Sequence, residues 1–176
     1  MDVYDCSAFR GRWDGGGGYG GLLCAILAAC PAMTGILLEP AHVATGAMSY
    51  VESQGLDERC PVVEGDFFEG VPEGADAYVM KSVVHDWPDA RSVAILKNCR
   101  RALGADGRVI LIERVMPALA KDAPDTVRVD LHMLAVTGGR ERSEAEYRGL
   151  FEAAGFTLGR VVATRAPFCV IEGVPR

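Results

Sequence analysis

The chain has no long apolar run, no surplus of positive charge, few histidines and no paired cysteine motif. No apolar stretch reaches the ~18 residues that a membrane span needs. No signal peptide is visible at the start. A soluble, cytoplasmic protein with no membrane partner is therefore expected. Lysine and arginine number 18 against 24 acidic residues, a formal charge of −6. That deficit argues against nucleic acid as a partner. The six cysteines (Cys6, Cys24, Cys30, Cys60, Cys99, Cys169) include no C-x-x-C pair, and the three histidines show no ligand spacing. Buried thiols are expected, and no metal site. At 176 residues, with 49% hydrophobic content, the chain suits one domain with a sizeable core.

Glycine is what the chain has in plenty. The stretch Trp13 to Leu22 reads WDGGGGYGGL, and a helical pattern follows it at once. Without a Cβ, such a run lets backbone N–H groups approach a ligand at a helix start. Two patterns fit it. G-x-G-x-x-G, the dinucleotide fingerprint, fits at Gly15, Gly17, Gly20 and again at Gly16, Gly18, Gly21. D-x-G-x-G-x-G fits at Asp14, Gly16, Gly18 and Gly20, and resembles the first motif of S-adenosylmethionine (SAM) methyltransferases. A flexible linker is the plain alternative. Asp14 favours SAM: a carboxylate there meets the cationic amino-acid end of SAM but repels a pyrophosphate.

Downstream, strands and helices alternate. Thr34–Leu38, Cys60–Glu64, Ala75–Met80 and Arg108–Glu113 read as strands. Leu22–Ala29, Val43–Ser53 and Asp89–Leu103 read as helices between them. That order means βαβ units and a mostly parallel, twisted sheet. The segment FRGRW before the glycines should be the first, central strand, yet a central parallel strand is usually Val, Ile and Leu. After a loop, Asp125–Ala135 and Ser143–Ala153 read as helices, the second with a capping box of Ser143 and Glu146. Phe156–Ala163 and Ala166–Gly173 should form an antiparallel C-terminal pair.

In open α/β sheets ligands bind beyond the carboxyl ends of the strands. Those ends carry Asp14 and the glycines, then Glu39, then Asp66 and Phe67, then KSVVHDW from Lys81 to Trp87, then Glu113. Glu39 is placed to accept hydrogen bonds from ribose hydroxyls. Asp66 beside Phe67 suits an adenine amino group and ring face. His85 suits a proton acceptor. A phenol, with a pKa near ~10, is scarcely ionised at neutral pH. An imidazole near ~6.5 is neutral enough to take its proton. A carboxylate on the far ring nitrogen would fix the tautomer and stabilise the imidazolium.

The segments GDFFEGVP, KSVVHDWPD, ILKNCRRAL, IERVMP and DLHMLAVTGGRERSEAEYRGLFEAAGF together closely resemble the catalytic domain of SAM-dependent O-methyltransferases. The group resembled holds plant caffeate and flavonoid enzymes, acetylserotonin methyltransferase and bacterial polyketide-tailoring enzymes. The resemblance runs from Trp13 to Pro175. It implies a Rossmann-like class I methyltransferase fold, α/β, and SAM as cofactor, leaving as S-adenosylhomocysteine. It implies methyl transfer to a phenol or enol hydroxyl of a small aromatic secondary metabolite. Carried over by position, Asp14, Gly16, Gly18, Glu39, Asp66, Phe67, Lys81 and Trp87 bind the cofactor. His85 is the general base, Glu113 and Glu141 orient it, and Asp130 and Met133 stand on the acceptor side.

Family members also carry an N-terminal helical region that dimerises and roofs the acceptor pocket. The expectation here is a single catalytic domain, 1–176, without that region. Its expected partners are a small aromatic acceptor and either a second copy or a chain that supplies the roof. Two other readings stand: a truncated, non-catalytic SAM-fold protein that binds a metabolite or a full-length relative, and an NAD-dependent oxidoreductase resting on G-x-G-x-x-G alone.

Overall fold

A computed structural model describes residues 17–176 in full and the backbone of strand β1, Gly11–Gly15; Gly16 and residues 1–10 lie outside the described residues. The chain continues through α1 (Gly21–Ala29), β2 (Thr34–Glu39), α2 (Ala41–Ser53), β3 (Val62–Glu64) and β4 (Ala77–Lys81). Then come α3 (Asp89–Ala102), β5 (Arg108–Glu113), α4 (Pro124–Val136), α5 (Glu144–Ala153), β6 (Phe156–Ala163) and β7 (Cys169–Pro175). The described strands form one sheet in the order β3-β2-β1-β4-β5-β7-β6. β1 to β5 run parallel, and β7 lies antiparallel between β5 and β6. The chain winds outward from β1 to β3, then returns to β4 on the other side. The crevice at that reversal lies above the carboxyl ends of β1 and β4. The expected doubly wound sheet with an antiparallel C-terminal pair is the one that forms.

Alternation along the strands covers both faces. In β4, Tyr78 and Met80 enter a large cluster with Leu96 and Cys99 of α3 and Phe151 of α5, while Ala77 and Val79 face the other way. In β2, Leu37 packs with Leu23, Leu27, Ala47 and Val51 of α1 and α2. The poor first strand is central after all. Its backbone pairs with β2 from Gly11 to Gly15 and with β4 from Arg12 to Asp14. Ladder hydrogen bonds satisfy its amides whatever its side chains are, so its apolar neighbours decide its place.

Local chemistry sets the other boundaries. The capping box forms: the Glu146 amide donates to Ser143 Oγ, and the Ser143 amide donates to Glu146 Oε2. β7 begins at Cys169, three residues later than the expected Ala166, because Thr164 closes a tight turn. Its hydroxyl binds the carbonyls of Ala166 and Phe168, and Pro167 has no N–H for a ladder. Among the described residues, no helix is long and apolar enough to cross a membrane.

Candidate active site

The chain leaves β4 at Lys81 and turns sharply. Ser82 has φ of 55°, unusual for a residue with a side chain, and a single 3-10 turn, Val84–Asp86, follows. Three groups from elsewhere hold this strained exit. Glu113, fully buried at the end of β5, accepts the N–H of Val83 at 3.0 Å and of Val84 at 2.9 Å on Oε1. Arg142, also fully buried, donates to the carbonyls of Val84 at 2.9 Å and Trp87 at 2.7 Å, and pairs with Asp89 at 2.9 Å. Gly139 lies flat against the turn: a Cβ there would overlap the His85 carbonyl oxygen and come within 2.5 Å of the Asp86 carbonyl carbon. The next amide, Arg140 N–H, donates to that same His85 oxygen at 2.8 Å. Gly139 can lie there because α4 ends cleanly, with Gly138 in the left-handed region at φ 74° and its amide on the Met133 carbonyl.

The turn points His85 at two buried acids. Nδ1 lies 2.8 Å from Glu141 Oε1 and 3.9 Å from Glu113 Oε2. Neutral imidazole that donates from Nδ1 keeps its lone pair on Nε2. There the nearest charged group is Asp86 Oδ1 at 3.6 Å. Glu141 is itself steadied by Asp130, whose Oδ1 accepts the Glu141 amide at 2.8 Å. Burial works against the imidazolium, but the Glu141 hydrogen bond and the charges of Glu113, Glu141 and Asp86 outweigh it, so the His85 pKa is raised. Burial pushes Glu113 up to about 7, despite the opposing His85 charge and the two amides. His85 and Glu113, 3.9 Å apart, each bias the other's proton. His85, Glu113 and Glu141 also offer ligand atoms within 4.8 Å of one another, a spacing a small cation could use. The 2.8 Å Nδ1 to Oε1 contact is a hydrogen-bond length.

The other side of the crevice starts at Glu39, buried at the end of β2. It receives the N–H groups of Gly17 and Gly18, and burial raises its pKa in spite of them. Its Oε1 is buried and has no partner, an acceptor suited to a ribose hydroxyl. Gly18 and Gly20 take φ of 62° and 83°, which glycine alone adopts freely. Asp66 is exposed and caps its own turn, accepting the Phe68 amide at 2.8 Å. Phe67, Phe68 and Trp87 form an edge-to-face group, with the Arg91 guanidinium 3.8 Å from the Phe68 centroid.

The structure thus brings together His85, Glu113 and Glu141, joins Phe67 to Trp87, and sets Glu39 under the glycine turn. Oδ1 of Asp130, on α4, holds the Glu141 backbone amide and so links that helix to the His85–Glu141 pair. The Lys81 ammonium stands 5.3 Å from the Phe168 centroid, and Met133 is half-buried on α4. Gly16 and the side chain of Asp14 lie outside the described residues. Sequence reasoning missed Arg142, Gly139 and Asn98, whose amide anchors the carbonyls of Phe67 and Phe68 at 2.7 and 2.9 Å. The one available signal was that Gly139 and Arg142 both fall in GGRER, a stretch that carries the family resemblance, which does not say what either touches.

Residues 1–157 match the family model of the O-methyltransferase domain. The chain belongs to this family. The phenazine O-methyltransferase PhzM of Lysobacter antibioticus is 42% identical over 99% of this chain and 51% of its own length. The crystal structure of an O-methyltransferase from neocarzinostatin biosynthesis, in complex with SAM and 2-hydroxy-5-methyl naphthoic acid, has a TM-score of 0.90 and 37% identity. It covers 98% of this chain, which spans 51% of that one. The aclacinomycin 10-hydroxylase RdmB of Streptomyces purpurascens is 38% identical over 89% of this chain and 42% of its own length. The chain spans about half the length of the curated relatives it matches. Its fold is that of the class I SAM methyltransferases.

Proposed function

We propose that this O-methyltransferase domain, 1–176, is a catalytic unit that transfers a methyl group to a phenol or enol hydroxyl of a small aromatic secondary metabolite. The observation that carries the reading is the His85–Glu141 pair, at 2.8 Å, beside a buried glutamate with a spare acceptor oxygen. The relative named as a phenazine O-methyltransferase, and the related structure holding SAM and a naphthoic acid, support the cofactor and the acceptor class.

Bound SAM supplies an electrophilic methyl group and leaves as S-adenosylhomocysteine. Glu39, the glycine turn, Asp66, Phe67 and Trp87 hold the nucleoside. His85 Nε2 takes the hydroxyl proton, and Glu141 on Nδ1 fixes the tautomer and stabilises the imidazolium. Glu113 adds negative charge behind the ring and caps the turn that carries it. The reading invokes no metal. The assembly proposed is a second copy, or a chain that supplies a roof over the acceptor, and the setting proposed is the cytoplasm.

Calorimetric titration with S-adenosylhomocysteine tests the reading. Micromolar binding is expected, and Glu39→Ala should weaken it by about tenfold or more, the loss of one charge-assisted contact. No heat from the unaltered protein would sink the reading. A second reading, a non-catalytic or differently active SAM-fold protein, draws on the relative named as a hydroxylase at 38% identity. Binding without transfer of labelled methyl to any of a panel of hydroxylated naphthoates and phenazines would favour it.

The pH dependence follows from the raised His85 pKa. The free base is populated only above that pKa, so kcat/KM should rise with pH through a midpoint above ~6.5. Glu113→Gln removes a negative charge but keeps an oxygen for the Val83 and Val84 amides. The imidazolium is then less stabilised, and the midpoint should move to lower pH. An unmoved limb would show that Glu113 does not act electrostatically on the base.

A further inference from the structure

A second cavity, of about 400 Å³, opens between the end of β5, the start of α4 and the β6–β7 turn. Its walls are largely apolar, with Val115, Ala163, Pro167 and Phe168, and its polar points include Arg114 and the buried Thr126. The size and the balance of walls are those of a small-molecule site.

Arg114 is the anomaly. Its Nη1 is buried and has no hydrogen-bond partner. No ion pair joins it to another described residue; its guanidinium only faces the Phe168 ring, 5.3 Å from the centroid. Lys81 Nζ stands at the same distance from that ring, so two cations meet on one aromatic at the cavity edge. A buried guanidinium N–H without an acceptor is costly to leave unmade. Its planar fork matches a planar oxyanion. Two further acids, Asp122 and Asp125, line the cavity from exposed positions, and Asp125 pairs with Arg128 at 3.0 Å. A dianionic phosphate would bring its second charge against them. A carboxylate brings one charge, and the apolar walls suit a ring attached to it.

We infer that this cavity is a subsite for a small aromatic carboxylate, with Arg114 as its anion partner. The anion arrives either on the methyl acceptor or on a separate acid, and the subsite does not depend on methyl transfer. Titration of the chain with 2-naphthoate and with neutral 2-naphthamide tests it. The acid should bind about tenfold tighter or more, the worth of a hydrogen bond to a charged group. Arg114→Gln should abolish that preference, and Arg114→Lys should keep part of it. Equal binding of acid and amide by the unaltered protein overturns the proposal without any variant. So does an undiminished preference in folded Arg114→Gln, or displacement of 2-naphthoate by equimolar inorganic phosphate. Repeating the titration with hydroxynaphthoates, with and without S-adenosylhomocysteine, separates the sources. Tighter binding only of the hydroxylated acid with the nucleoside present places the anion on the acceptor; equal binding of both acids assigns it to a separate ligand. If the nucleoside fails to bind while the acid preference stands, methyl transfer falls and the subsite survives.

Discussion

Replacing His85 with alanine is expected to lower methyl transfer by about 10²- to 10⁴-fold, the usual contribution of a positioned general base. Affinity for S-adenosylhomocysteine should stay within about twofold, since Glu39, the glycine turn, Asp66 and Phe67 lie on other segments, and Trp87, though on the same turn, is held by Phe68 and by the Arg142 bond to its carbonyl. The turn should survive, because what holds it are backbone bonds: the His85 carbonyl still accepts from Arg140, and Glu113 still binds the amides of Val83 and Val84. The acid limb of the pH profile should vanish with the side chain. Single-turnover transfer of labelled methyl, alongside calorimetry, reads both quantities. Turnover within tenfold of the original would mean that positioning alone drives the reaction.

Gly139→Ala should damage the protein without touching any side chain that does chemistry. A methyl group there collides with backbone atoms of His85, Asp86 and Trp87, and the last two contacts would be 2.5 and 2.8 Å. Backbone cannot rotate out of the way as a side chain can, so the turn itself must move. A displacement of about 1 Å at a reacting group costs on the order of 10²-fold in rate. Overpacking of this kind costs about 1–3 kcal/mol in stability. Gly149→Ala is the control: it lies inside α5 with open space around its missing Cβ, so alanine should be neutral or stabilising by up to about 1 kcal/mol. Urea melts and turnover of the two variants together check this. Equal behaviour of both would show that the Gly139 contact does not position the base.

The order of strands and helices was legible because it rests on short apolar runs and helical periods, which TGILLE, RVILIE and the α3 face display openly. The partnership of His85 with Glu141 was legible only through the resemblance, since 56 residues separate them. What stayed hidden was the support. Arg142 reads as one more charged residue in GGRER, yet it is fully buried under the histidine turn. Asp130 reads as a free carboxylate on a helix, yet it holds an amide eleven residues on. Bonds from a side chain to a distant backbone leave no period in a sequence. The late start of β7 was hidden for a related reason, because the Thr164 hydroxyl competes with the ladder for the same carbonyls.

The central strand has a kinetic consequence. α1 and α2 pack their own apolar cluster, and α3 and α5 pack another, so each half of the molecule has a nucleus of its own. β1 is the seam, matched to Thr34 onward on one edge and to Ala77 onward on the other. Joining Arg12 to Ala77 closes a long loop, whose entropy is lost before the contact repays it. Refolding is therefore expected to end, rather than begin, at the middle of the sheet. In pulsed hydrogen exchange the amides of β5 should gain protection before those of β1, and the reverse order would refute the picture.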